Sequence, residues 1–180
     1  MSSSAGSNER LKQNVEDQLN RLLQQLSDLD EMREDLEEAE YTSQKEDTLQ
    51  QMKEFEGTLE RLVSGDVTLV SQLDAMRNAV HAYVSGACRD PNITRLFATK
   101  STAGLRNKLA SLTQDLKLNR IKQADFDALA LEVVAALEKL NEPLTPSELG
   151  ILDGGRRNLQ GYSEAADGAV GSHVIEAAKK

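Results

Sequence analysis

Leu11, Val15, Leu19, Leu22, Leu26 and Leu29 recur at alternating steps of four and three residues, and Leu36 stands one heptad beyond Leu29. That spacing puts one apolar residue on the same face of an α-helix every turn, and no strand uses it. Arg33 interrupts the seam, so the repeat weakens toward its end. The pattern predicts a first helix from about Glu9 to Ala39, and a seam that must be covered. Two covers fit: a parallel homodimer through Leu19, Leu22, Leu26 and Leu29, or a second helix of the same chain.

The next run supplies such a helix. From about Ser43 to Ser64, Leu49, Met52, Phe55 or Glu56, Leu59 and Leu62 form one stripe that stops at Ser64-Gly65. A break near Tyr41-Thr42 then makes an antiparallel hairpin. Further along, Asp66 can cap a helix bearing Val67, Val70, Leu73, Met76, Val80 and Val84, with its end at Ser85-Gly86. Asp90-Pro91-Asn92 reads as a turn and restart, because Pro suits a first helical position. A short helix through Ile93, Leu96 and Phe97 follows, and Ser101-Thr102 caps another with Leu105, Leu109, Leu112 and Leu116 on its face. The sixth, from about Gln123 to Leu140, carries Phe126, Leu129, Leu131, Val133, Val134, Leu137 and Leu140, an apolar stripe broad enough for a central place in a bundle.

Sustained two-residue alternation is missing, so the expected fold is all-α with little or no sheet. The expected organisation is a disordered start at residues 1–8, a leucine-rich helical hairpin at 9–64, a helical region at 66–120, a small helical domain at 121–161 and a flexible tail at 162–180. The core must be aliphatic, since the chain has no Trp, three Tyr and three Phe.

A net charge of −9 opposes binding to nucleic acid or an anionic membrane, both of which are polyanions. No apolar stretch approaches the roughly 20 residues that span a bilayer. The opening MSSSAGSNER has neither the basic nor the apolar part of a secretion signal, which gives the expectation of a cytoplasmic or nuclear protein. Asn92-Ile93-Thr94 fits a glycosylation sequon that such a protein would leave bare. The acidic run DLDEMREDLEEAE (Asp28 to Glu40) reads as a solvated helix face or as a docking surface for a basic groove.

Signs of catalysis are sparse. His81 and His173 belong to no metal-ligand pattern, Cys88 is the single cysteine and sits in no nucleophile signature, and phosphate-cradling glycine motifs are absent. We expect no enzyme activity and no cofactor. Cys88 reads as a small buried apolar residue.

Near the C-terminus, Thr145-Pro146-Ser147-Glu148 has the form of a capping box with proline at the first helical position. The same residues form a proline-directed phosphorylation motif. Past Leu152, Gly154, Gly155, Gly161, Gly168 and Gly171 should leave the chain loosely helical or extended.

Four segments in order carry a resemblance: LKQNVEDQLNRLLQQLSDLDEMREDL (Leu11 to Leu36), SGDVTLVSQL (Ser64 to Leu73), RLFATK (Arg95 to Lys100) and FDALALEVVAALEKLNEPLTPSELGIL (Phe126 to Leu152). Together they resemble the leucine-zipper branch of the ICAT family of β-catenin-interacting proteins. The resemblance implies a compact helical domain over Phe126 to Leu152. In ICAT such a domain, with an acidic tail bearing an aromatic residue, lies along the armadillo-repeat groove of β-catenin and blocks T-cell-factor binding. The expected partner is therefore β-catenin or another armadillo-repeat protein, met by Phe126, Leu129, Val133, Leu137, Leu144, Ile151, Leu152 and Tyr162. The sequence departs from the family in its tail, which is glycine-rich, ends in Lys179-Lys180 and has no Phe; Tyr162 with Glu164 and Asp167 is the acidic-aromatic group in its place.

Overall fold

A computed structural model describes residues 2–157. Within them the chain forms α1 (Ser2–Glu31), α2 (Glu38–Val63), α3 (Val67–Val84), α4 (Pro91–Ala98), α5 (Thr102–Lys117) and α6 (Gln123–Lys139). A seventh helix, α7, covers 146–157, and there is no strand among the described residues. The protein is all-α.

The leucine seam is covered from within. Val15, Leu19, Leu22, Leu23, Leu26 and Leu29 are all buried, and the first five share one cluster with Met52, Phe55, Leu59 and Val63 of α2. Polar contacts at both ends set the two helices antiparallel. At one end the Tyr41 hydroxyl donates to Asp30 Oδ1 at 2.8 Å, and at the other Asn8 Nδ2 donates to Asp66 Oδ2, just past α2, at 3.3 Å.

Two boundaries differ from expectation. Residues 2–8, expected to be disordered, belong to α1. The break falls at 32–37 and not near Tyr41-Thr42, so the middle of the acidic run is a turn and its two ends belong to α1 and α2, instead of the whole forming one helical face. Tyr41 is held inside α2 by its surroundings: the Arg33 guanidinium lies 4.2 Å from its ring centre, Lys45 Nζ donates to its hydroxyl at 2.8 Å, and Arg33 also pairs with Glu38. The ring and its cations close the turn.

Helix starts follow local chemistry. Asp66 Oδ1 accepts from the N–H groups of Thr68 and Leu69, and Asp90 Oδ1 from those of Asn92 and Ile93, so two otherwise orphan donors are satisfied at the head of α3 and α4. Ser101 occupies the N-cap position of α5 without a side-chain capping bond. Gly86, at φ 79°, turns the chain out of α3 in a conformation that side chains disfavour.

On α3 the buried stripe is Leu69, Leu73, Met76, Val80 and Tyr83. Val67 and Val70, expected on that stripe, point outward, and Val67 is 87% exposed. The face is chosen by the partners α2 and α4, against which α3 packs. One apolar cluster takes in residues of α1 through α6 together with Cys88, and Leu144 packs against it. It therefore crosses the limits between the expected ranges 9–64, 66–120 and 121–161. Each fully buried Leu or Phe in it contributes about 2–3 kcal/mol.

Candidate functional site

Three places gather chemistry. The first is a groove between α6 and α7. Ala124, Asp127, Ala128 and Leu131 line it from α6, and Ser147, Gly150, Ile151 and Gly154 from α7, enclosing a volume of about 760 Å³ open to solvent. On each helix these positions repeat at three, four and seven residues, so each presents one continuous stripe to the groove. The residues are small: a Cβ built on Gly150 or Gly154 would meet nothing within 4 Å. Gly155 differs, because a Cβ there would come within 2.4 Å of Leu131 Cδ1; its lack of a side chain lets α7 approach α6. Gly154 and Gly155 thus sit in α7, where an extended or loosely helical chain was expected, while Gly161, Gly168 and Gly171 lie outside the described residues.

The structure sorts the expected partner-binding residues. Phe126 and Ile151 line the groove and are half-buried. Val133 and Leu137 are wholly buried, and Leu152 is buried as well, so none of the three offers a surface to a partner on the folded chain. Their side chains are apolar because the bundle needs them. Leu129 is half-buried and faces a different depression, beside Asp30 and Pro91, while Leu144 packs on the core. Tyr162 and the tail 162–180 lie outside the described residues. Leu19, Leu22, Leu26 and Leu29 are core residues, and a zipper through them would first have to open the bundle. Sequence reasoning missed Leu131, Gly150 and Gly154; the available signal was two glycines four residues apart directly after a helix start.

The second place fastens α7 to α5. Thr145 N–H donates to Glu148 Oε2 at 2.8 Å, and Glu148 N–H donates to Thr145 Oγ1 at 3.3 Å, the reciprocal pair of a capping box. From α5, Arg106 Nε donates to Glu148 Oε1 at 3.2 Å, Nη1 to Glu142 Oε2 at 3.4 Å and Nη2 to the Pro143 carbonyl at 2.9 Å. Glu148 is 5% exposed. Burial alone raises a carboxyl's pKa, but here the Thr145 N–H and the Arg106 guanidinium outweigh it and hold Glu148 below its ordinary value.

The third place is the α3–α4 connection. Cys88 Sγ lies 3.3 Å from Thr94 Oγ1 and 3.6 Å from Glu132 Oε2, and Asp90 N–H donates to the same Glu132 oxygen at 3.2 Å. Burial, with the Glu132 charge adding to it against the Thr94 hydrogen bond, pushes the thiol up to about 12. Burial likewise raises Glu132. A thiol in this state is not a nucleophile at neutral pH. In native protein, Cys88 should react with a disulfide reagent only as fast as the bundle opens, orders of magnitude slower than in denaturant. Equal rates in the two conditions, read by thiol titration, would contradict its placement.

Around the acidic turn Asp30 is met by Tyr41 and Lys45 of α2 and Glu38 by Arg33, while Glu31, Glu34, Asp35, Glu37 and Glu40 are exposed. Among the described residues no three His, Cys, Asp or Glu side chains form a metal-binding group, and no helix is long and apolar enough to cross a membrane. The fold and these sites define a small all-helical bundle with an open apolar groove near one end of the chain. No protein-family model matches the chain, and no solved structure matches it.

Proposed function

We infer that the chain is a non-enzymatic protein-interaction module whose α6–α7 groove receives a helix of a partner protein. The observation that carries this reading is the groove itself: two helices each turn a stripe of small and apolar residues to one open trough, as neighbouring helices of a bundle do toward a third. Gly150 and Gly154 let an incoming backbone come close. The ICAT resemblance over Phe126 to Leu152 covers most of α6 and the first half of α7, without Ala124 or Gly154, and makes an armadillo-repeat protein, a solenoid of helices, the first partner to test, with β-catenin as its named case. The alternative, a scaffold assembled through Leu19, Leu22, Leu26 and Leu29, loses support from the burial of all four.

The test uses the two open glycines. Gly150→Ala with Gly154→Ala should stabilise α7 by up to about 1 kcal/mol per site, since alanine is the better helix former and meets no neighbour. The same methyl groups fill the trough, so retention on immobilised armadillo repeats should fall several-fold while the melting temperature rises. If wild-type protein is not retained at tens of micromolar, the armadillo version is wrong. Retention that survives both alanines would remove the groove from the account.

A further inference from the structure

Thr145 is the single Ser or Thr in the chain that precedes a proline, because the other two prolines follow Asp90 and Glu142. It is exposed and stands outside the helices, between the end of α6 and the first residue of α7. Its hydroxyl accepts one hydrogen bond from Glu148 N–H at 3.3 Å, long for such a bond, and Pro146 has no N–H to surrender when the first turn opens. The side chain is therefore reachable, and its environment is poised to respond to charge. Arg106 is the one cation bonded at this corner among the described residues, and it is already divided between Glu148, Glu142 and the Pro143 carbonyl.

We propose that Thr145 is a phosphorylation site for a proline-directed Ser/Thr protein kinase, and that the phosphate is a release signal for α7. In the transfer, Thr145 Oγ1 attacks the γ-phosphorus of Mg-ATP. The new O–P bond forms as the bond to the β-phosphate oxygen breaks, ADP leaves, and the hydroxyl proton passes to the kinase's base. A group with a charge of roughly −1.5 to −2 then stands on the atom that Glu148 N–H had bonded. It repels the buried Glu148 carboxylate, which lies against Thr145's own N–H, and it competes with that carboxylate for Arg106. Both effects displace Glu148, and with it go the return bond of the capping box and the carboxylate's tie to Arg106, losses that the phosphate's own attraction to the α7 N-terminus offsets only in part. The consequence for partner docking rests on the groove reading above; the modification and the release of α7 do not.

Full-length protein incubated with Mg-ATP and a proline-directed kinase should take up phosphate at Thr145, located by peptide mass analysis, while Pro146→Ala should take up none there. Amides of 147–156 should then exchange with deuterium at least about tenfold faster than in unmodified protein. A native chain left unmodified at Thr145, under conditions where a peptide of residues 139–153 is phosphorylated, would overturn the site. Phosphate at Thr145 with unchanged or slower exchange in α7 would overturn the switch. Either failure leaves armadillo binding by the unmodified groove intact, and failure of that binding leaves the exchange result intact, so the two readings fall separately.

Discussion

Leu26→Glu should unfold the chain. Leu26 is 1% exposed and belongs to the cluster that α1 shares with Met52, Phe55 and Leu59 of α2 and with residues of α3 and α4. Placing a carboxylate there deletes a fully buried apolar side chain, which costs about 2–5 kcal/mol, and adds the desolvation of a charge with no cation to meet it, several more. That sum is comparable to the roughly 5–15 kcal/mol by which a domain of this kind is stable. Circular dichroism should show lost helicity and no cooperative melt at room temperature. A seam between two copies predicts something else: a helical, folded chain whose mass in sedimentation drops from dimer to monomer. That second result would sink the intramolecular reading of Leu19, Leu22, Leu26 and Leu29, and Leu26→Ala, destabilised but folded, keeps the comparison open if Leu26→Glu aggregates.

The heptad on α1 was legible because helix periodicity is local, and the need for a cover followed from it. Where the helix stops was not. No Gly or Pro occurs between Asp30 and Gln44, so nothing in that stretch breaks a helix, and Leu36 keeps the heptad count after the chain has already turned. The turn is held instead by Arg33 over the Tyr41 ring and by the Tyr41 hydroxyl on Asp30, contacts made once α2 has folded back. The α3 stripe holds at Leu73, Met76 and Val80 and fails at Val67 and Val70 for a related reason. Val67 and Val70 fit the helical period as well as Leu69 and Tyr83 do, and the choice between the two sets is made by α2 and α4.

At the candidate site the division is the same. The capping box spans four residues and is legible in full, down to which side chain meets which N–H. Arg106 is 42 positions from Glu148, and nothing in the sequence joins them. The resemblance turns Val133, Leu137 and Leu152 toward a partner, whereas an apolar residue on a broad helical stripe serves a core as readily as a surface, and all three are buried. Gly150 and Gly154 were readable as residues that cost helix stability, but the trough they leave open depends on where α6 lies.

Glu148 should prove to be the side chain that keeps α7 in place. Glu148→Ala removes both halves of its work, the return bond to Thr145 N–H and the pairing with Arg106; the cap alone is worth about 1–2 kcal/mol. Glu148→Gln keeps an acceptor for Thr145 N–H and gives up the charge, so its loss should be the smaller. Arg106→Met takes the opposite side, leaving a carboxylate that is 5% exposed without its cation. The pH dependence distinguishes this pairing from simple packing. The Glu148 carboxyl titrates below its ordinary 4.5 in the folded chain, so the stabilisation it brings is complete above that value and disappears as pH falls through the folded pKa. Denaturant titrations at pH 7 and at a pH low enough to protonate Glu148 in both proteins should therefore show the gap between wild type and Arg106→Met shrinking in acid, when the neutral carboxyl no longer needs the guanidinium. Because Glu142 also accepts from Arg106, the comparison is made in a Glu142→Gln background, where Glu148 is the carboxylate left bonded to the guanidinium. A gap of equal size at the two pH values would mean that Arg106 acts through its aliphatic stem and the Pro143 carbonyl alone, and that the buried charge pair does not hold α7.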